Sequence, residues 1–145
     1  MERTWKKFFK HAIDKMEGGR INYIKFDGKY FLVDGTVGII VDEKEMMLNE
    51  NLLKEVPELK KFIPDETNEG YSMATIDSYI LLTYDRPNDL KAVIKTGDIT
   101  CYCMKSFLSY FGFGVTLMVK SESEPIQIWR AGKFIGVVLP YRLKR

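Results

Sequence analysis

Apolar residues recur along this chain with two distinct periods, and the switch between them divides it into elements. Trp5, Phe8, Phe9, Ala12, Ile13 and Met16 repeat at i, i+3, i+4, i+7, i+8 and i+11, one continuous stripe on a helix of 3.6 residues per turn. Gly18-Gly19 stops that helix, because glycine takes the left-handed conformation of a C-cap without steric cost. From Ile21 the period drops to two. Ile21–Phe26, Lys29–Val33 and Thr36–Val41 are rich in β-branched and aromatic residues and predict a β-meander. Asp27-Gly28 and Asp34-Gly35 separate the three runs, and Asp-Gly suits the type I′ hairpin turn, which needs positive φ. The second Asp-Gly also fits a bulge within one longer strand.

The pattern loosens over residues 43–70. Glu43–Asn51 is polar with Met46, Met47 and Leu48 embedded, and Pro57–Ile63 predicts a short helix with proline in its first turn. Pro64 to Gly70 reads as an exposed acidic loop. Strands are expected again at Tyr71–Thr75, Tyr79–Tyr84, Lys91–Lys95 and Ile99–Cys103, with a break at Asp85-Arg86-Pro87-Asn88. Met104–Phe111 has helical spacing and is closed by Gly112 and Gly114. Val115 to Val119, Ile126 to Ile128 and Ile135 to Leu139 then alternate, which predicts an antiparallel three-strand finish with turns at Ser121–Pro125 and Ala131-Gly132-Lys133. The order helix, strands, helix, strands suggests two similar halves.

Composition narrows the class. A chain of 145 residues fits one domain, and at this size roughly 68–70% of the unfolded surface is buried without help from metal or disulfide. The formal charge of +2 identifies no partner by itself; any electrostatic role rests on where the charge sits. Cys101 and Cys103 share one face of a strand, a spacing that rarely meets disulfide geometry, so both are read as reduced, buried thiols. The opening residues lack the apolar region of a signal peptide, and no stretch approaches the ~20 apolar residues of a membrane span. The expectation is a soluble, cytoplasmic protein with no membrane partner.

The search for chemistry is negative. His11 has no Ser, Cys or Asp at a spacing that builds a triad, and one histidine cannot complete a zinc site. Neither G-x-G-x-x-G nor G-x-x-x-x-G-K-[ST] occurs. Asp65, Glu66 and Glu69 cluster, but in a solvated loop that fixes no two-metal geometry. No catalytic residue, metal site or cofactor is assigned, and the chain is read as a binding protein, not an enzyme. Arg3, Lys6, Lys7 and Lys10 fall within about one third of the first helix's circumference. Such a stripe suits a phosphate backbone, and it equally describes an ordinary solvated helix face. The tail Tyr141 to Arg145 mixes aromatic, apolar and basic residues.

The segment Ile135-Gly136-Val137-Val138-Leu139-Pro140-Tyr141-Arg142-Leu143 resembles the closing residues of the bacterial β sliding clamp, the processivity ring of the replicative polymerase. Lys29 to Gly35 is similar to that family's aromatic, apolar-pair, Thr-Asp-Gly pattern, and the element order matches over most of the chain. The resemblance implies an α+β fold: a single clamp-like domain over residues 1–145, with antiparallel sheets, two helices packed on one side, and 43–70 as an insertion or long connection. It implies a replication-associated function of the phage or mobile-element type. Arg3, Lys6, Lys7, Lys10 and Lys105 would face double-stranded DNA. Val138, Leu139, Pro140, Tyr141, Arg142 and Leu143 would form the wall of a cleft for peptide motifs of replication proteins, and copies could assemble into a homo-oligomer. The alternative keeps the fold and drops the DNA, leaving a protein–protein adaptor. The chain departs from the family in having one domain where a clamp subunit has three, and in carrying Thr36-Val37 where His-Arg is usual.

Overall fold

The computed structural model describes Lys10 and Arg86 singly, and residues 20–46, 49–82 and 89–141. The meander forms where the alternation placed it: β1 (Ile21–Phe26), β2 (Lys29–Val33) and β3 (Val37–Asp42). Asp27 and Gly28 both take positive φ, 46° and 73°, as a turn matched to the strand twist requires. At the second Asp-Gly the side chain does the work of the turn. Asp34 Oδ1 accepts from the Thr36 and Val37 amides at 2.9 and 2.8 Å and from Thr36 Oγ1 at 3.0 Å, so this is a true reversal and not a bulge.

Seven more strands follow: β4 (Leu53–Glu55), β5 (Ser72–Ile80), β6 (Lys91–Thr96), β7 (Ile99–Met104), β8 (Thr116–Val119), β9 (Ile126–Arg130) and β10 (Lys133–Val138). Their order is β4-β1-β2-β3-β10-β9-β8-β5-β6-β7, and among the described residues every pairing is antiparallel except β1 with β4. Two meanders, β1-β2-β3 and β8-β9-β10, therefore stand side by side through their last strands. β5 is shared between two neighbours: Ser72–Ala74 pair with β8, and from Thr75 onward it pairs with β6 across a bulge at Asp77. The sheet curls so far that the extension of β10 meets β7, where Tyr141 N donates to Tyr102 O at 2.6 Å.

The fold is sheet-dominated. Among the described residues the helical segments are short: α1 (Lys105–Leu108) running into a 3-10 turn Ser109–Phe111, and 3-10 segments Glu43–Glu45, Glu50–Leu52 and Pro57–Phe62. The first predicted helix lies outside the described residues except for Lys10, which is helical and exposed. The strands expected at Tyr71–Thr75 and Tyr79–Tyr84 are one bulged strand ending at Ile80.

Two apolar clusters hold the sheet from opposite faces. The larger unites Leu32, Ile39, Ile94, Phe111, Ile126, Ile128 and Val138 inside the curl. The smaller, on the outer face, joins Phe31, Ile40 and Val137 to Leu59 of the Pro57–Phe62 segment, with Phe62, Ile63 and Phe134 around it. Two glycines let aromatic rings reach the β3–β10 seam. A Cβ on Gly38 would strike the Phe31 ring, and one on Gly136 would strike the Gly38 carbonyl and the Phe111 ring.

Candidate binding cleft

The outer-face packing of Pro57–Phe62 determines what comes next in the chain. Leu59, Phe62 and Ile63 are drawn onto the sheet, so Lys60 and Lys61 stay at the surface and the chain leaves along Ile63-Pro64 toward β8 and β9. Asp65 then reverses it. Its Oδ1 accepts from Thr67 Oγ1 at 2.8 Å, the Asn68 amide at 2.8 Å and the Thr67 amide at 3.1 Å, and these bonds, the Thr67 hydroxyl first, hold its carboxyl below the usual carboxylate range. Asn68 takes φ 44°, a conformation asparagine tolerates better than most residues.

That turn delivers the Asn68 amide to Gln127 of β9. Asn68 Nδ2 donates to Gln127 Oε1 and Gln127 Nε2 donates to Asn68 Oδ1, both at 2.9 Å. Trp129 Nε1 donates to the same Gln127 oxygen at 3.0 Å, which fixes which way round the glutamine amide lies. Gln127 is 3% exposed, and these bonds offset the cost of burying it.

Between this amide pair and the β8–β9 turn lies a cleft of about 720 Å³, within the range that takes a small ligand or a short peptide segment. One side carries Lys60, Lys61, Phe62 and Pro64; the other carries Lys120, Glu124 and Pro125, with Tyr71 between. The Tyr71 hydroxyl donates to the Pro125 carbonyl at 3.4 Å, Lys120 Nζ stands 6.0 Å from the Tyr71 ring centre, and burial, then the nearby Glu124 carboxylate, raises the Tyr71 phenol above its ordinary pKa. Glu124 Oε2 is buried with no hydrogen-bond partner among the described residues. Three lysines face Asp65, Glu69 and Glu124, so the cleft has no net field of one sign. Among the described residues no serine, cysteine or histidine lines it. Its means are hydrogen bonding, aromatic contact and paired charge.

The residues singled out from the sequence fall elsewhere. Arg3, Lys6 and Lys7 lie outside the described residues; Lys10 is exposed, and so is Lys105, whose Nζ sits 4.9 Å from the Tyr79 ring centre. Of the tail, Val138 is fully buried in the larger core and offers no side-chain surface. Leu139 donates its amide to Thr36 O at 2.8 Å, Pro140 is half-buried, and Tyr141 is bonded to β7 with Lys91 Nζ 4.7 Å from its ring centre. Arg142 and Leu143 lie outside the described residues. Cys101 and Cys103 are free and buried. Burial pushes their thiols up to about 11 and about 12, far from the thiolate that reactive cysteine chemistry needs.

Among the described residues no group of three His, Cys, Asp and Glu side chains could hold a metal ion, and no helix is long and apolar enough to cross a membrane. The cleft itself was missed because its two halves, Asn68 and Gln127, stand 59 residues apart. No family model, curated protein or solved structure matches the chain.

Proposed function

We propose that this chain is a non-catalytic binding protein, resembling one domain of a sliding clamp, that takes a peptide segment of a partner protein in the cleft between the Asp65 turn and the β8–β9 turn. The observation that carries the reading is a preformed cleft whose floor is locked by reciprocal amide bonds and whose walls, among the described residues, hold no nucleophile of the Ser, Cys or His kind. A rigid floor lowers the ordering cost of binding, and a mixed-charge wall beside Tyr71 suits a peptide better than an isolated anion. The side-by-side meanders are in keeping with the clamp resemblance. Peptides selected from a random displayed library against the immobilised protein should lose at least tenfold in affinity on Tyr71→Ala or Lys120→Ala. Binders indifferent to both substitutions would place the partner on another surface.

A second reading, duplex DNA along Arg3, Lys6, Lys7 and Lys10, has the support of Lys10, which is helical and exposed. Affinity for a 20-base-pair duplex should then fall steeply with salt. Neutralising Lys6, Lys7 and Lys10 together should reduce the slope of log K against log salt by about 2.7, at roughly 0.9 per phosphate contact. An unchanged slope removes DNA from consideration at this face.

A further inference from the structure

β5 leaves β8 after Ala74 to follow β6, and the parting opens a wedge in the sheet. One bank of the wedge is the stretch from Ile76 to Leu81, which no described strand pairs on the β8 side. Ile76 and Tyr79 pair with Ile94 and Ala92 of β6, both buried in the inner core, so they continue the apolar inner face. Yet Ile76 is 40%, Tyr79 45% and Leu81 51% exposed. The other bank is the Gly112-Phe113-Gly114 loop, three residues ahead of Leu117, the partner of Ala74. Gly112 and Gly114 take φ 71° and 75°, and the Arg130 guanidinium donates to the carbonyls of Phe111 and Phe113. The loop is therefore held in shape, and it presents Phe113 at 99% exposure.

We infer that this wedge is the interface of a two-fold homodimer, in which β5 of one copy lies antiparallel to β5 of the other. The quantities fit. A fully exposed aromatic side chain offers roughly 150–250 Å², so Phe113 with the half-exposed Ile76, Tyr79 and Leu81 leaves on the order of 450 Å² of apolar surface open. A standard interface buries about 800 Å² per partner, about 57% of it apolar, which is the same figure. The strand also suits its own copy. With the two-fold axis at Ile80, antiparallel pairing would set Leu81 of each chain beside Tyr79 of the other, an aromatic–aliphatic cross-strand pair of the kind that contributes to sheet stability. The stretch carries one charge, Asp77, which lies beyond that pair and is directed to Lys95 at 3.6 Å. Such a contact is the same patch on both copies and closes at two, leaving the cleft on the outer face free.

Light scattering coupled to size exclusion, from about 5 to 200 µM, tests it. The intact chain should reach twice the 16.9 kDa of one copy. Leu81→Lys should leave a monomer over the whole range, and Phe113→Asp should weaken association at least tenfold. Both sites are solvent-exposed, so far-UV circular dichroism should be unchanged in each. A wild-type monomer at every concentration overturns the inference, as does a dimer that survives both substitutions. The peptide-cleft variants Tyr71→Ala and Lys120→Ala should dimerise as the wild type does, which separates the two surfaces.

Discussion

Replacing Asn68 with glycine removes one half of the amide pair while keeping a residue content at φ 44°, where alanine would be strained. Gln127 is then a buried amide whose Nε2 has lost its acceptor at 2.9 Å, while Oε1 still has the Trp129 N–H at 3.0 Å. The glutamine cannot simply turn over, because that would place its NH₂ against the indole donor. An unsatisfied buried donor costs about 1–3 kcal/mol; the cleft admits water, which favours the middle of that range. About 2 kcal/mol is expected, or roughly 4–8 °C in Tm for a chain of this size. Urea unfolding followed by tryptophan fluorescence measures it, and Asn68→Gly, Gln127→Leu and the double variant complete the cycle. A coupling energy of about 1–2 kcal/mol is expected, since the two side chains touch. If the single effects add to within about 0.5 kcal/mol, the amide pair is not what fixes the cleft floor.

Gly136→Ala should cost about 1–3 kcal/mol, or prevent folding, because its Cβ would meet the Gly38 carbonyl and the Phe111 ring; combining it with Phe111→Leu should recover part of the loss in a thermal melt. The thiols of Cys101 and Cys103 have folded pKa values of about 11 and about 12 against an ordinary 9.0. The folded state thus keeps protons that the unfolded state gives up, and stability should be level below pH 9 and fall as pH rises toward 11. At pH 8 a thiol reagent should label neither cysteine until denaturant is added; rapid native labelling would contradict their burial. Tyr141→Pro removes the amide that bonds Tyr102 O, and hydrogen exchange along β7 should quicken, whereas unchanged protection would mean the closure contributes nothing.

The hairpins were legible because their signals are local. β1 and β2 match the predicted residues, and the Asp27-Gly28 turn was specified by two adjacent residues that accept positive φ. The closing meander was legible for the same reason. β4 was not, since three residues with one buried side chain carry no periodicity. The alternation predicts two strands where β5 is one, because the polar pair Asp77-Ser78 interrupts its apolar run; the structure absorbs the interruption as a bulge. A second bulge, between Phe134 and Gly136, shifts the alternation of β10, so Ile135 and Val138 enter the larger core while Val137 enters the smaller. Periodicity presumes one buried face, and here β3 and β10 are buried on both. The resemblance implies a binding wall in the tail; the backbone bonds of Leu139 to Thr36 and of Tyr141 to Tyr102 join it to chain segments that no local pattern brings near. The cleft depends on one such long-range pair and was therefore invisible.

The position of β10 in the sheet also governs the order in which this chain can fold. β10 fills the centre, paired with β3 about 100 residues earlier. During synthesis the Val37–Val41 run, five residues buried on the finished molecule, must wait with one strand edge open until β10, about 100 residues further on, has been made. Such distant pairing raises contact order and belongs to the slow end of folding rates, milliseconds to seconds, and an open apolar edge is the kind of surface that nascent chains use to aggregate. Expression yield should therefore respond to temperature and chaperone supply more sharply than the stability of the finished protein does.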